Sequence, residues 1–225
     1  MKNKTLLASY LFVFTFYFIA CAPKTAPPPL YMGTDLTLEE VIQKAGKDID
    51  TLKAIADISI ERNNEPYSYI SASALIQSPG QARMRIYKFG LPINDILIKD
   101  ERVYVLSGKS NGVVKELGRE FYHAVFWWDG MKDAVLYKEG TDYILKTENK
   151  EIYLNSETLF PIRQEIITEG KNALIIYSEP KSEEGFWYPS VIEIRMGDYM
   201  IKVQVKKLLL NPQLGEYDFG VPDQE

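Results

Sequence analysis

From about residue 50 onward, apolar and polar residues mostly alternate, and two stretches depart from that rhythm. Ala56, Ile58 and Ile60 are interleaved with Asp57, Ser59 and Glu61. A period of two puts one side of a strand in a core and the other in water. Ile70, Ala72, Ala74 and Ile76 continue it, and after a Ser78-Pro79-Gly80 turn Ala82, Met84 and Ile86 alternate with Arg83, Arg85 and Tyr87. A break at Phe89-Gly90-Leu91-Pro92-Ile93 precedes a hairpin of 96–99 and 102–106 about Asp100-Glu101. Further strands are predicted at 143–147, 152–155, 160–168, 173–178, 188–196 and 199–210, with turns at Glu169-Gly170-Lys171-Asn172 and Met196-Gly197-Asp198.

The first departure is helical. Thr37-Leu38-Glu39-Glu40 has the form of a capping box, in which the threonine hydroxyl takes an orphan amide and the glutamate reaches back to the cap. Leu38, Val41, Ile42 and Ala45 then recur at helical spacing, opposite Glu39, Glu40, Gln43 and Lys44. Gly46 weakens this helix. The second departure, 118–137, holds Phe121, Tyr122, Ala124, Val125, Phe126, Trp127 and Trp128 with almost no polar face. A helix apolar all round is buried on most sides, so this stretch reads as a plug.

Many short strands at hairpin spacing, one helix before them and another in the middle predict a mainly β protein with helices. The expected form is a single curled antiparallel sheet, a half-open β-barrel of about ten or eleven strands, wrapped around the apolar helical plug. Fifteen tyrosines and ten phenylalanines suit strands. An interior faced by Ile58, Ile60, Met84, Ile86, Ile192, Ile194, Ile201, Val203 and Val205, with Trp127 and Trp128 over it, suits acyl chains. The same residues suit an ordinary closed core equally well.

The N-terminus sets the compartment. Lys2 and Lys4 precede an apolar run, 6–20, which ends at Cys21, the only cysteine of the chain. The run falls short of the ~20 residues that a membrane-spanning helix needs, so a cleaved secretory signal over 1–20 is the better reading. Phe18-Ile19-Ala20-Cys21 resembles the bacterial lipobox, with Phe18 where most carry leucine. That resemblance implies cleavage after Ala20 and lipid on Cys21, each buried methylene contributing ~0.8 kcal/mol to anchoring. An ordinary signal with an incidental cysteine is the alternative. Residues 21–35 then form an anchor and Pro-rich linker, which favours extended polyproline structure at ~3.1 Å per residue. The domain proper is 36–225, with no internal repeat or second boundary.

Charge and motifs narrow the function. The chain of 225 residues carries −5, and without Lys2 and Lys4 the mature part falls to −7, which excludes nucleic acid as a favoured partner. Ser107-Gly108-Lys109-Ser110 contains the Gly-Lys-Ser of a phosphate-binding loop, but Val103 stands where the first glycine belongs, and a hairpin is expected there. Asp218-Phe219-Gly220 copies a kinase triplet without the other kinase signatures. One histidine, His123, and one cysteine do not build a zinc site. No metal, cofactor or catalytic residue is expected, and no enzyme; among the many carboxylates nothing selects a catalytic pair.

The chain order, the lipobox, the strand Arg83-Met84-Arg85-Ile86 running into Gly90-Leu91-Pro92, and the closing Tyr217-Asp218-Phe219-Gly220-Val221-Pro222 together resemble the Lol family of lipoprotein carriers and receptors, in particular the membrane-anchored LolB type. The resemblance implies a half-open barrel that takes up acyl chains of lipoproteins, from a periplasmic carrier protein, and passes them to the outer membrane. It makes membrane lipid a partner and Leu91, with Ile93 as second candidate, the membrane-contacting residue of the link between strands. Ala22 after the cysteine is not the aspartate of inner-membrane retention, so an outer-membrane anchor facing the periplasm is expected, with the domain a monomer. The alternative function is a structural or sensory envelope lipoprotein that binds a protein partner. A filled interior and an exposed apolar patch elsewhere would mark it.

Overall fold

The computed structural model describes residue 30 and residues 35–46, 49–99, 102–109, 121–168, 171–215 and 217–220. The signal, Cys21, most of the linker, the first three residues of the plug and the closing Val221-Pro222 lie outside the described residues.

Helix α1, Leu38–Gly46, begins at the expected capping box. The Thr37 amide donates to Glu40 Oε2 (2.8 Å) and the Glu40 amide to Thr37 Oγ1 (3.3 Å), which satisfies donors that the helix itself leaves orphaned. Val41 is the residue of α1 that becomes fully buried.

Twelve strands follow: β1 (Thr51–Arg62), β2 (Glu65–Gln77), β3 (Gln81–Lys88), β4 (Leu91–Lys99), β5 (Arg102–Gly108), β6 (Val135–Glu139), β7 (Asp142–Lys146), β8 (Lys150–Asn155), β9 (Pro161–Thr168), β10 (Lys171–Glu183), β11 (Phe186–Met196) and β12 (Tyr199–Leu210). All join one antiparallel sheet in the order β5-β4-β3-β2-β1-β12-β11-β10-β9-β8-β7-β6. The two chain ends of the domain meet at its centre, where β1 pairs with β12 from Leu52↔Leu210 to Arg62↔Tyr199. Among the described residues the edge strands β5 and β6 do not pair with each other, so the curled sheet stays open.

This is the curled, unclosed sheet expected from the alternation, with one strand more. The added strand is β6, inside the stretch read as plug. Asp129-Gly130 and Lys132-Asp133 interrupt the apolar run before Val135-Leu136-Tyr137, a turn signal that reading 118–137 as one plug passes over, and pairing with β7 across the Gly140 turn makes these residues a strand. The second difference concerns the break at 89–93. Its link is two residues long, because Phe89 (φ 53°) and Gly90 (φ 78°) both sit in the left-handed region, as a two-residue hairpin turn requires, and Lys88 pairs with Leu91. Leu91 and Ile93 therefore belong to β4.

The inner face of the sheet carries the core. Ala54, Ala56, Ile58 and Ile60 of β1, Ala72, Ala74 and Ile76 of β2, Met84 and Ile86 of β3, and Ile201, Val203 and Val205 of β12 pack with Phe121, Tyr122, Ala124 and Phe126. A second cluster joins Val41 of α1 to Trp127, Met131, Ala134 and the inner residues of β7 and β8. Trp128 packs against both. Each large side chain so buried contributes roughly 1.5–3 kcal/mol, and these bridging aromatics join the two halves of the curl.

Candidate functional site

A cavity of about 130 Å³ lies at one end of the sheet. Its walls are the C-terminal end of α1 (Lys44, Ala45), the first residues of β1 (Leu52, Ala54), Ile76, the plug residues Phe121, Ala124, Val125, Trp127 and Trp128, the 158–161 link, the β10–β11 hairpin from Gly185 to Pro189, and Ile192, Val205 and Leu208. The register explains why these meet. Leu52 faces Ile76 and Leu210 across the sheet, so the start of β1, the end of β2 and the end of β12 share one end. Lys44 and Gly185 are exposed while Ile76 and Trp127 are buried, so the cavity runs from the surface inward.

Aromatic rings dominate the mouth. Trp128 meets Phe126 (5.3 Å between centroids), Trp127 (5.5 Å, edge-on) and Phe186 (6.3 Å, edge-on), and Phe186 stacks on Tyr188 (6.5 Å). Gly46 explains how Trp128 comes so close to α1: a Cβ there would stand 2.4 Å from Trp128 Nε1. The plug is fixed from below by polar ties. Tyr122 takes a hydrogen bond from the Gly80 amide (2.6 Å) and donates to Asp129. Tyr177 donates its hydroxyl hydrogen to the Ala124 carbonyl oxygen (3.0 Å), with Gln164 Oε1 also within reach (2.9 Å). Burial pushes both phenols well above their ordinary range, Tyr122 with the added effect of Asp129, so they stay neutral.

Of the interior residues proposed from the alternation, Ile192 and Val205 line the cavity, as do Trp127 and Trp128. Ile58, Ile60, Met84, Ile86, Ile194, Ile201 and Val203 do not; all are buried in the packed core cluster. Alternation identifies the inner face but not which part of it stays unfilled. Walls it passed over include Phe160, Phe186 and Trp187; the signal for the last two was the aromatic triplet Phe186-Trp187-Tyr188 directly after Glu183-Glu184-Gly185. His123 is half-buried and edge-on to Tyr122 (5.7 Å). Gly108 (φ +91°) is a packing glycine: a Cβ there would meet the Ile93 carbonyl oxygen at 2.1 Å, and Asn94 Nδ2 donates to the Lys109 carbonyl (2.9 Å). Among the described residues no group of three or more His, Cys, Asp or Glu gathers as metal ligands.

The β3–β4 tip stands at the opposite end of the sheet. Phe89 is 94% exposed, Leu91 69% and Ile93 39%. Exposed Tyr67 and Tyr69 of β2 lie toward the same end, beyond the last β2–β3 rung, Ser71↔Tyr87. Large apolar residues so gathered in water are a patch that needs a reason.

The arrangement has counterparts among solved structures. The chain is similar to a LolA-superfamily protein from Nitrosomonas europaea over 83% of this chain and 99% of that one, at TM-score 0.61 and 12% identity. The fold is LolA-like. A DUF1329-family protein from Desulfovibrio piger matches over 81% of this chain and 95% of its own, at TM-score 0.52 and 15% identity. A putative outer membrane lipoprotein-sorting protein domain from Vibrio parahaemolyticus matches over 81% and 94%, at TM-score 0.50 and 12% identity. No protein-family model matches the sequence, nor does any curated protein. At these identities the LolA-like likeness speaks for the fold.

Proposed function

We propose that this chain is a lipid-anchored envelope protein that holds an acyl chain of a lipoprotein or lipid in the aromatic-walled cavity and releases it at the outer membrane. The observation that carries the reading is the cavity itself: an apolar recess that opens at one end of a sheet whose interior is otherwise packed to near-complete exclusion of water. Support comes from the LolA-like fold, from its likeness to a LolA-superfamily protein and to an outer membrane lipoprotein-sorting domain, and from the lipobox-like Cys21. Cargo arrives from a periplasmic carrier protein, and Leu91 with Ile93 contacts the bilayer. Phe89, the most exposed of the tip, joins them. The domain acts as a monomer, without cofactor and without enzymatic chemistry.

The test is direct. The full chain, purified in detergent, is extracted with organic solvent and the extract analysed by mass spectrometry, alongside titration with a fluorescent fatty acid. One acyl chain retained or bound per protein is expected. An extract free of acyl lipid, together with no saturable binding, overturns the reading.

A second function, a structural or sensory lipoprotein that docks a protein partner, is favoured by one observation. Seven of the interior residues belong to a filled core, while Tyr67, Tyr69, Phe89 and Leu91 are exposed at the far end. Capture of a periplasmic protein that is lost on Phe89→Ser, with acyl binding absent, would establish it instead.

A further inference from the structure

The cavity is too small for what the proposed function puts in it. At about 130 Å³ it compares with an engineered cavity of ~150 Å³ that holds one benzene, whereas pockets for drug-sized ligands run from ~300 to 1,000 Å³. A wall must therefore move. Most walls are ill suited to this. The β1, β2 and β12 residues sit in strands paired on both sides, and the plug is tied by Tyr122 to the β2–β3 turn and by Ala124 to Tyr177.

The β10–β11 hairpin is different. β10 pairs with β9 only from Lys171 to Ile176, and β11 pairs with β12 only from Val191 to Met196. Beyond those rungs the two strands pair with each other alone, through Pro180↔Pro189, Lys181↔Tyr188, Ser182↔Trp187 and Glu183↔Phe186. The base of this free arm carries every mark of a weak joint. Pro180 and Pro189 face one another, and neither offers an amide hydrogen. Glu179 has φ 51°, a left-handed conformation for a non-glycine residue, and it interrupts the pairing between Ser178↔Val191 and Pro180↔Pro189. A side chain replaces the missing rung: Ser190 Oγ donates to the Glu179 carbonyl oxygen (2.8 Å). Lys181, Ser182 and Glu184 of the arm are exposed, while Phe186, Trp187 and Tyr188 are half-buried and border the cavity.

We infer that residues 180–189 are a flap, hinged at Glu179-Pro180 and Pro189-Ser190, that swings away from Trp128 to admit one unbranched acyl chain and closes its aromatic underside over that chain. The inference rests on the acyl-binding function and adds its route of entry and its capacity. Closure holds a single chain because Phe186 and Tyr188 stand over one narrow recess beside Trp128. The hinge supplies the volume that the rest of the wall withholds.

Hydrogen exchange of the full chain in detergent, read by mass spectrometry with and without palmitate, tests it. Without ligand the amides of 181–188 are expected to exchange ~10-fold or more faster than those of 191–196 on the same strand, since only the arm opens below the global barrier. Palmitate is expected to slow 181–188 by about 10-fold, to protect 121–128, and to leave 191–196 unmoved. In the Phe186→Ser/Tyr188→Ser double variant palmitate is expected still to protect 121–128 but no longer the arm. Exchange of 181–188 and 191–196 as one unit overturns the flap, as does an arm in the double variant that palmitate protects like wild type. Palmitate that protects neither 121–128 nor the arm overturns the acyl-binding function, and the gate with it.

Discussion

Single residues decide where the strands' outer face is wet and where it is covered. Arg83, on the outer face of β3, donates from Nε and Nη2 to Asp95 of β4 (3.0 and 2.7 Å), and from Nη1 to the carbonyl oxygens of Tyr217 (2.9 Å) and Asp218 (3.3 Å). The strand Arg83-Met84-Arg85-Ile86 and the closing Tyr217-Asp218-Phe219-Gly220, which stood out separately in the sequence, thus meet through one guanidinium. Bidentate geometry of this kind suits arginine and not lysine. Burial alone would raise the Asp95 carboxyl, but Arg83 and Arg85 outweigh it and hold the group below its ordinary value. A carboxylate depressed in the folded state stabilises above its unfolded pKa, and that contribution is lost as pH falls through the folded value. Asp95→Asn should therefore lower the urea midpoint at pH 7, and the difference from wild type should shrink below about pH 4. Equal midpoints at pH 7 would show the ion pair to be idle. Gly46 was legible only as a helix-weakening residue. Its reason is the Trp128 indole against it, so Gly46→Ala should cost about 1–3 kcal/mol by overpacking, read from chemical denaturation, where an exposed helical glycine would gain from the same change.

At the scale of elements, the sequence made legible those whose pattern is local. Capping box and helical spacing placed α1, and period-two alternation placed strands such as β1, β2, β3 and β12, which have one buried and one wet face, while β4 and β7, with Ile96-Leu97-Ile98 and Tyr143-Ile144-Leu145 buried on both faces, read as short apolar runs. β6 escaped, since its five residues form an edge strand whose exposed Val135 and Tyr137 mimic the greasy stretch before it. The cavity escaped for a different reason. Which inner-face residues touch one another and which border a void depends on how the sheet curls, and no local pattern encodes that. The plug shows the distinction within two adjacent residues. Trp127 is 3% exposed and belongs to the cluster under α1, whereas half-buried Trp128 bridges both clusters at the cavity mouth. Trp127→Ala should cost about 3–5 kcal/mol, as large aromatic truncations in a core do. Trp128→Ala should cost only about 1–2 kcal/mol, because part of its surface is already wet, and should change the affinity for a fluorescent fatty acid. Urea denaturation of both variants checks the order. Equal losses would place the two rings in one core and leave Trp128 no role at the mouth.

For the whole molecule, the decisive geometry is that cavity mouth and apolar tip occupy opposite ends of one sheet. The turns at Asn63-Asn64, Phe89-Gly90 and Gly197-Asp198 share one end, as the bond from the Asn63 amide to the Asp198 carbonyl oxygen (2.9 Å) shows for two of them. The β2–β3 and β10–β11 turns share the other, with the mouth. The chain enters the domain near the mouth, where the Leu36 amide donates to Tyr143 Oη (3.0 Å) and Lys138 pairs with Asp35 (3.2 Å). Were the fourteen steps from Cys21 to Asp35 extended as polyproline at ~3.1 Å per residue, they would reach roughly 43 Å. That matches the ~40 Å span of the twelve-residue strand β1, so the proposed anchor would permit the domain to stand tip-down. On the proposed function, the mouth would then face the periplasm and receive cargo, while Phe89 and Leu91 would enter the bilayer. One such side chain in lipid contributes about 1.5–3 kcal/mol, enough to orient a tethered domain and too little to anchor it. Leu91→Glu and Phe89→Ser should each leave the unfolding midpoint nearly unchanged, within about 0.5 kcal/mol, because neither residue is in the core. Each should nonetheless reduce transfer of a bound lipoprotein to phospholipid vesicles, Leu91→Glu the more strongly since it places a carboxylate where the bilayer must take it. Fatty-acid binding by the same variants should stay at the wild-type level, the tip being remote from the mouth. Transfer at the wild-type rate in both variants would remove the tip from delivery and turn the molecule over, with its mouth toward the membrane.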